Sequence, residues 1–291
     1  MATYKKLRKF GSNVHIIEMN PRIYRLDITE GIPGKLEKLS DTFGEPNLDE
    51  ITWVRMNAQF FHGPTRGYGS FVDPTDNLSD KLHSDGYVDL TYKNGKLLVG
   101  SGGNWTIGTS YGLIAGGKID FKYADWHRPI MENRNPRSMA GNLHSGNNAF
   151  IVVDGRFKNL SLGITAEQQA QFGQEYGFLE LGSFDGGGSS TLILGDKILN
   201  RPSDGHERSV ISAIVGYRRY ALTELPLLKR GKAGVYVNLL QRLLEITPDG
   251  VFGYGTMREV EEFQRRKYME DDGIVGAKTW AKLLKERGIA C

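Results

Sequence analysis

The 291-residue sequence is short of cysteine, of long apolar runs and of net charge. Its only cysteine is Cys291, so no disulfide can form within the chain. No stretch is long and apolar enough for a transmembrane helix, and residues 1–20 lack the apolar run of a secretory signal. We therefore expect no signal peptide, no membrane span and synthesis in the cytoplasm. The net charge of +3, spread along the chain, also disfavours a nucleic-acid partner.

Patterns typical of metal or nucleotide enzymes are missing too. The six histidines show no paired spacing, which disfavours a zinc hydrolase. The glycine-rich run lacks the Gly-Lys-Ser/Thr ending of a phosphate-binding loop. The sequence thus requires no cofactor. The acidic stretch 73–86 could hold a divalent cation such as calcium, but it lacks the regular spacing of a calcium loop and is interpreted as a solvated loop.

Glycine, by contrast, is abundant, with 37 residues that indicate many tight turns and a β-rich body. Apolar and polar residues alternate in IYRLDIT, as in a half-buried strand. AFIVVDGRF, STLILGDKIL and VISAIVGYRRY are further predicted strands. ITAEQQAQFGQEYG predicts a helix, with Thr165 and Gln168 spaced as a capping box and Gly173 or Gly177 available to end it. Residues 1–222 are predicted to form an α+β domain with a mixed or antiparallel sheet and a few covering helices.

The composition changes after Tyr220, where a connector (223–233) precedes a helical pattern (234–291). This pattern predicts a small all-α domain of three helices. It contains an internal echo, DGVFGYGT at 249–256 and DGIVGAKT at 272–279. The closing threonine of each copy is expected to cap the next helix, and Thr256 with Glu259 has capping-box spacing.

The tail resembles the peptidoglycan-binding module found at the ends of many cell-wall enzymes. The resemblance rests on Leu240-Gln241, Phe263-Gln264, Trp280 and the two Asp-Gly to Thr turns. It implies that the partner is bacterial peptidoglycan or an attached wall glycan, so that the protein acts at the bacterial cell wall. The alternative is that these residues only form a small helical core.

Polar residues of the large domain fall in four stretches at predicted strand ends or turns. FDGGGSSTLILG puts an acid, three glycines and three hydroxyls ahead of apolar residues. VRMNAQFFHG, NPRSMAG (predicted as a turn just before a strand) and LNRPSDGHERSV are the others. The candidate residues in these stretches are Asn57, Arg137, Ser138, Asp185, Gly186, Gly187, Gly188, Ser189, Ser190, Thr191, Asn200, Asp204, Glu207 and Arg208.

In this order, and together with LSLGITAEQQAQF, the stretches resemble the phosphodiester glycosidase family. That family shows an Asn-Gly-Gly-Phe-Phe-like segment, an Arg-Thr-Ala-x-Gly segment, an Asp-Gly-Gly-Gly-Ser-Ser block and an Asn-x-Pro-Ser-Asp…Glu-Arg-x-Val segment. This chain departs from the pattern at Ala58 and Gln59 and at Ser138 and Met139, which bears on the substrate more than on the fold. The resemblance implies cleavage of a sugar 1-phosphodiester bond.

The residue types suit that chemistry. Glycosyl transfer passes through an oxocarbenium-like state that a carboxylate can stabilise, attack or serve with activated water. Guanidinium groups offer forked donors to phosphate oxygens, and the glycine run could supply backbone N–H groups pointing into the same space. We expect Asp185, Arg137 and Glu207 to be catalytic, with Asp204 as a further carboxylate candidate. The remaining candidates would bind sugar hydroxyls or phosphate.

Three of these residues have plainer alternatives. Asp185 could cap the glycine turn through its own side chain. Arg137 could pair with a structural acid, and Glu207 and Arg208 could form a solvated surface pair.

The expected function is that of a wall-targeted hydrolase that cleaves a sugar 1-phosphodiester, similar to an N-acetylglucosamine 1-phosphodiester, in an envelope glycan. A phage lysis or virion-associated enzyme fits this pattern, and so does a bacterial protein. One alternative is an endolysin-like peptidoglycan hydrolase of the muramidase or glucosaminidase type. The other is a wall-glycan-binding protein without catalysis.

Overall fold

The computed structural model describes most of the chain. The described residues are 2–30, 35–41, 44, 46–59, 61, 71–72, 88–100, 102–122 and 128–289. The acidic stretch 73–86 lies outside them, so its interpretation as a solvated loop stays a prediction.

The chain forms two compact units. The first contains Met1–Thr42 and Val54–Gly216, and the second contains Phe43–Trp53 and Tyr217–Cys291. The domain boundaries predicted at residues 222 and 234 stay predictions.

The elements follow in chain order. The strands are β1 (Thr3–Lys9), β2 (Ser12–Met19), β3 (Tyr24–Glu30), β4 (Glu50–Asn57), β5 (Phe71–Val72), β6 (Val88–Lys93), β7 (Lys96–Val99), β8 (Trp105–Thr109), β9 (Tyr111–Ala115), β10 (Lys118–Lys122), β11 (Arg137–Leu143), β12 (Asn148–Val153), β13 (Phe178–Phe184), β14 (Leu192–Leu194), β15 (Lys197–Ile198) and β16 (Ser212–Arg219). The α-helices are α1 (Arg128–Glu132), α2 (Ala166–Tyr176), α3 (Val235–Leu243), α4 (Tyr254–Arg266) and α5 (Ala277–Glu286).

The first unit is built around a seven-stranded sheet with strand order β1-β2-β12-β11-β13-β9-β10. Its pairs are antiparallel, and the central strands β11 and β12 are buried along their whole length. A five-stranded sheet has the order β15-β14-β4-β16-β3, and a four-stranded sheet has the order β5-β8-β6-β7. The predicted α+β class is confirmed.

Helix α2 packs on the large sheet and confirms the predicted helix. The Thr165 hydroxyl accepts a hydrogen bond from the Gln168 backbone, and the Gln168 side chain accepts one from the Thr165 backbone. Gly177, at a φ of 92°, ends the helix in the left-handed conformation that glycine tolerates. Gly173 lies inside the helix, where a Cβ would come within 2.5 Å of the Leu181 side chain, so it permits close packing instead of ending the helix.

The predicted strands also form. Tyr24, Leu26 and Ile28 are all buried in β3, as the alternation in IYRLDIT requires. STLILGDKIL forms the β14–β15 pair around Gly195. In the described part of the chain, no helix has the length and apolar character needed to cross a membrane.

The second unit contains the three predicted helices, α3 to α5, around one apolar cluster that includes Leu240, Phe263 and Trp280. The two sequence echoes fold alike, each around a buried glutamine. Gln241 Nε2 donates to Asp249, the Val251 carbonyl and Thr256, and its Oε1 accepts from the Gly250 backbone. Gln264 repeats these contacts, 23 positions along the chain, with Asp272, the Ile274 carbonyl, Thr279 and the Gly273 backbone.

The predicted threonine caps of this unit are wrong. Gly253 and Gly276 occupy the N-cap positions of α4 and α5, and neither cap has a side-chain hydrogen bond. Thr256 and Thr279 lie within the first turn of each helix and contact the glutamine of their own echo. These threonines therefore fasten the turn to the preceding helix.

Residues 43–53 contribute to the second unit from a distant part of the sequence. Ile51 is fully buried in the apolar cluster of that unit. Arg242 on α3 donates to the backbone carbonyls of Pro46, Asn47 and Glu50, at 2.9–3.0 Å. The predicted connector also takes part, since Leu228 is buried in the same cluster.

Candidate active site

A cleft of about 240 Å³ lies in the first unit, where strands β11, β12 and β13 meet. The antiparallel register places the start of β11 opposite the ends of both neighbours, with Arg137 across from Val153 and Ser138 across from Phe184. Side chains from three distant stretches therefore meet at one edge. The lining residues are Ser110, Tyr111, Ile130, Asn135, Arg137, Arg156, Phe184, Asp185, Gly186, Gly187, Gly188 and Arg208.

Asp185 directly follows β13 and supplies the only carboxylate in the described lining of this cleft. Burial raises the pKa of its carboxyl from 3.8 to about 7, and the positive charges of Arg208 and Arg156 oppose the rise. The Ser189 hydroxyl is near enough to lower this pKa, but its geometry falls short of a hydrogen bond. A carboxyl with a pKa of about 7 can bind or release a proton near neutral pH.

Asn57, at the end of β4, ties the candidate stretches together and does not line the cleft. Its Nδ2 donates to the Asp185 carbonyl at 2.6 Å, and its Oδ1 accepts from the Ser138 hydroxyl at 2.7 Å and the Thr191 backbone at 3.1 Å. All these groups are buried, so the network is strong and geometrically restrictive. The structure thus gives Asn57 and Ser138 positions from which they fix the backbone of Asp185.

The glycines of the run make space for charged side chains. A Cβ on Gly187, which has a φ of 62°, would meet Arg156 Nη2 at 2.9 Å. A Cβ on Gly188 would meet Arg208 Nη2 and Asp204 Oδ2, both at 2.2 Å. Guanidinium groups therefore lie directly against bare backbone beside Asp185.

The predicted set of free backbone amides is only partly available. The Gly187 amide donates to the Pro136 carbonyl, and the Ser189 and Ser190 amides donate to the Gly186 and Gly187 carbonyls. These three amides therefore already have backbone acceptors. The expected anion site in this part of the cleft therefore depends more on side chains than on these three amides.

Arg137 and Arg208 both reach the cleft, with different partners. Arg137 is buried as the first residue of β11, not in a preceding turn as predicted. Its Nε and Nη2 donate to the carbonyls of Ile164, Ile130 and Asn133. Arg208 pairs with Asp204 through Nε and Nη2, at 2.9 and 2.6 Å, and not with a surface acid beside it in sequence.

Several predicted residues lie away from the cleft lining. Glu207 is buried and its Oε1 accepts from the Ser40 backbone at 2.9 Å, so the structure does not bring this carboxylate to the cleft. Asn200 bonds both the Ser190 carbonyl and the Leu192 backbone N–H, and thereby braces the loop. The hydroxyls of Ser189, Ser190 and Thr191 are buried without a hydrogen-bond partner among the described residues.

The structure adds lining residues that the sequence reading missed, above all Arg156 and Ser110. Arg156 belongs to the DG turn after β12, a signal that indicated only a turn. The Ser110 hydroxyl is buried and, within the described residues, has no hydrogen-bond partner. A free hydroxyl in a cleft is suited to a sugar hydroxyl.

Metal binding is not supported by the described side chains, which include no cluster of three or more His, Cys, Asp or Glu residues. The acidic stretch that could hold calcium lies outside them.

Comparisons with known proteins follow the same division of the chain. A family model described as phosphodiester glycosidase matches residues 57–217, and one described as a peptidoglycan binding domain matches residues 236–283. The solved catalytic domain of zebrafish N-acetylglucosamine-1-phosphodiester alpha-N-acetylglucosaminidase, auto-inhibited by its pro-peptide, is 16% identical, with a TM-score of 0.57 over 76% of this chain and 83% of that chain. A hypothetical protein from Synechocystis is 14% identical, with a TM-score of 0.53 over 75% of this chain and 62% of that chain. At these identities the two structures support the fold alone.

Proposed function

Since the chain belongs to the phosphodiester glycosidase family, we propose that it hydrolyses a sugar 1-phosphodiester bond in a bacterial envelope glycan. Its glycosidase domain and its peptidoglycan-binding domain together support a cell-wall-associated enzyme or binder.

The observation that carries the proposal is the set of charged residues in the described lining of the cleft, which is one carboxylate, Asp185, with three arginines. An ordinary glycosidase uses two carboxyl groups, because one must protonate the leaving oxygen. A phosphate leaving group is weakly basic and departs without that proton. One carboxylate and several guanidinium groups are then sufficient, which favours a phosphodiester over a muramidase or glucosaminidase substrate.

The proposed reaction breaks the bond between the anomeric carbon and the phosphate oxygen. Ionised Asp185 either attacks the anomeric carbon or takes a proton from the attacking water, and both roles need the carboxylate form. Water supplies the new hydroxyl of the sugar. The phosphate monoester leaves as an anion, which guanidinium groups stabilise through charge-assisted hydrogen bonds.

The test is release of free sugar from N-acetylglucosamine 1-phosphodiesters and from purified walls by the full chain. We expect Asp185→Asn to lose about 10³-fold or more of kcat, and to bind walls as the wild type does. Glu167→Gln, which removes an exposed carboxylate on α2, is the matched control and should keep wild-type turnover.

Other outcomes identify the alternatives. New reducing ends on glycan chains, without phosphate-linked sugar release, would identify a peptidoglycan hydrolase. Wall binding by a wild-type protein without turnover on either bond would identify a binder.

We also propose that the protein acts at the wall after synthesis in the cytoplasm, as a phage lysis or virion-associated enzyme would. Lysis of a host that co-expresses the chain with a membrane-permeabilising protein would support this role. An intact wall in that host would contradict it.

A further inference from the structure

The three arginines that line the cleft are not equally free to bind a ligand. Arg137 directs Nε and Nη2 to three backbone carbonyls. Arg208 is neutralised by Asp204 at 2.6 Å. With the residues that the structure describes, the Arg156 side chain makes one hydrogen bond, from Nη2 to the neutral Asn135 side chain at 3.2 Å. No described carboxylate lies within ion-pair distance of the Arg156 guanidinium.

The backbone holds Arg156 at the cleft. Its φ of 65° is a left-handed conformation that a side-chain-bearing residue adopts only when its surroundings impose it. The preceding Gly155 is packed so closely that a Cβ would come within 2.5 Å of the Pro136 nitrogen. The turn is therefore fixed on its inner side, and the arginine side chain projects outward over the glycine run.

The guanidinium lies across Gly187, where three of its atoms stand 2.9–3.3 Å from the position of a Cβ. Gly187 is two residues after Asp185, so the acid and this guanidinium flank one short turn. Because Arg156 is exposed whereas Asp185 is buried, the positive group lies on the outer side of the cleft.

We propose that Arg156 is the specificity-determining residue that binds the anionic phosphate of the substrate. The assignment rests on the proposed function, which places the anomeric carbon of the sugar at Asp185. The forked N–H donors of an arginine match two phosphate oxygens at once. Arg137 and Arg208, whose Nε and Nη2 donors already have partners, then position the loop and supply charge.

The experiment compares the wild-type full chain with Arg156→Gln and Arg156→Lys. Calorimetry measures the affinities of inorganic phosphate and of neutral N-acetylglucosamine, and kinetics measures kcat/KM on the 1-phosphodiester. We expect Arg156→Gln to weaken phosphate binding about 10- to 100-fold, the usual loss for a hydrogen bond to a charged group. Affinity for the neutral sugar should not change, and kcat/KM should fall in step with phosphate affinity.

Two further variants separate the effect of the forked guanidinium from that of charge alone. Arg156→Lys keeps the charge without the fork and should fall between the other two proteins. Lys158→Gln, an exposed residue of the same loop, should equal the wild type. The assignment would be overturned if the wild type and Arg156→Gln bound phosphate equally well. It would also be overturned if Arg156→Gln lost affinity for phosphate and for the neutral sugar to the same extent. Neither result would contradict phosphodiester hydrolysis by the wild type. If the wild type is inactive, the proposed function fails, and the phosphate titration alone still decides the role of Arg156: no phosphate binding overturns it.

Discussion

Replacing Asp185 by Asn should make the protein more stable at alkaline pH, because the wild type must then keep an ionised carboxylate in a buried position where ionisation is unfavourable. The pKa of this carboxyl moves from 3.8 to about 7 on folding. Between these values the folded protein binds more protons than the unfolded chain, so wild-type stability falls as the pH rises. Asparagine has nearly the same shape and stays neutral throughout.

The magnitude follows from the pKa difference, at about 1.4 kcal/mol per unit. Above the folded pKa the full difference applies, and ionised Asp185 costs about 4 kcal/mol. About pH 4.5 is less than one unit above the pKa of Asp185 in the unfolded chain, so the cost there is only about 1 kcal/mol. The advantage of Asp185→Asn should therefore grow by about 3 kcal/mol between about pH 4.5 and about pH 8.5.

The assay is urea unfolding of the full chain at these two pH values, for the wild type, Asp185→Asn and Glu132→Gln. The last variant removes an exposed carboxylate from the same unit, and its difference from the wild type should be small and nearly independent of pH. An equal advantage of Asp185→Asn at both pH values would refute the reasoning, since it would show that Asp185 ionises as easily in the folded protein as in the unfolded chain.

Three further predictions concern the cleft and the helical unit. With ionised Asp185 as the reacting form, kcat/KM on a 1-phosphodiester should rise through about pH 7; a fall over that range would assign the group as an acid. Gly188→Ala should displace Arg208 and lower kcat/KM about tenfold or more, with a circular dichroism spectrum like that of the wild type; unchanged kinetics would contradict the close approach. Gln241→Leu and Gln264→Leu each remove four hydrogen bonds and leave a buried backbone N–H, that of Gly250 or Gly273, without its partner, so each should destabilise the helical unit by about 1–3 kcal/mol, seen as weaker wall binding with normal turnover of a soluble substrate; unchanged unfolding would show that these bonds contribute little.

Local rules predicted the elements whose contacts are local. The capping box of α2 lies within four residues, and the alternation in β3 reports its own buried face. The starts of α4 and α5 were mispredicted for the opposite reason, because Thr256 bonds a glutamine 15 positions earlier in the chain. The capping-box spacing of Thr256 and Glu259 does not show that the Thr256 hydroxyl accepts a hydrogen bond from Gln241 instead.

The candidate site was predictable to the extent that each stretch carried its own chemistry. Asp185 and its glycines are predictable as candidates because the acid, the glycines and the hydroxyls follow one another in a single stretch of sequence. Arg156 was missed since a DG turn is common, and only the register of β11, β12 and β13 brings that turn to the cleft. Glu207 is predicted to be catalytic because it is a carboxylate in a candidate stretch. Its neighbours in sequence do not reveal that this carboxylate accepts from the Ser40 backbone instead.

The contribution of residues 43–53 to the helical unit limits how this protein can be recombined. A gene fragment that stops at residue 222 would encode Ile51 without the cluster that buries it, and three carbonyls without Arg242. The helical unit therefore cannot be exchanged at a single junction. Exchanging it for another module requires changes both at residues 43–53 and after residue 216, so we expect the two units to be inherited together.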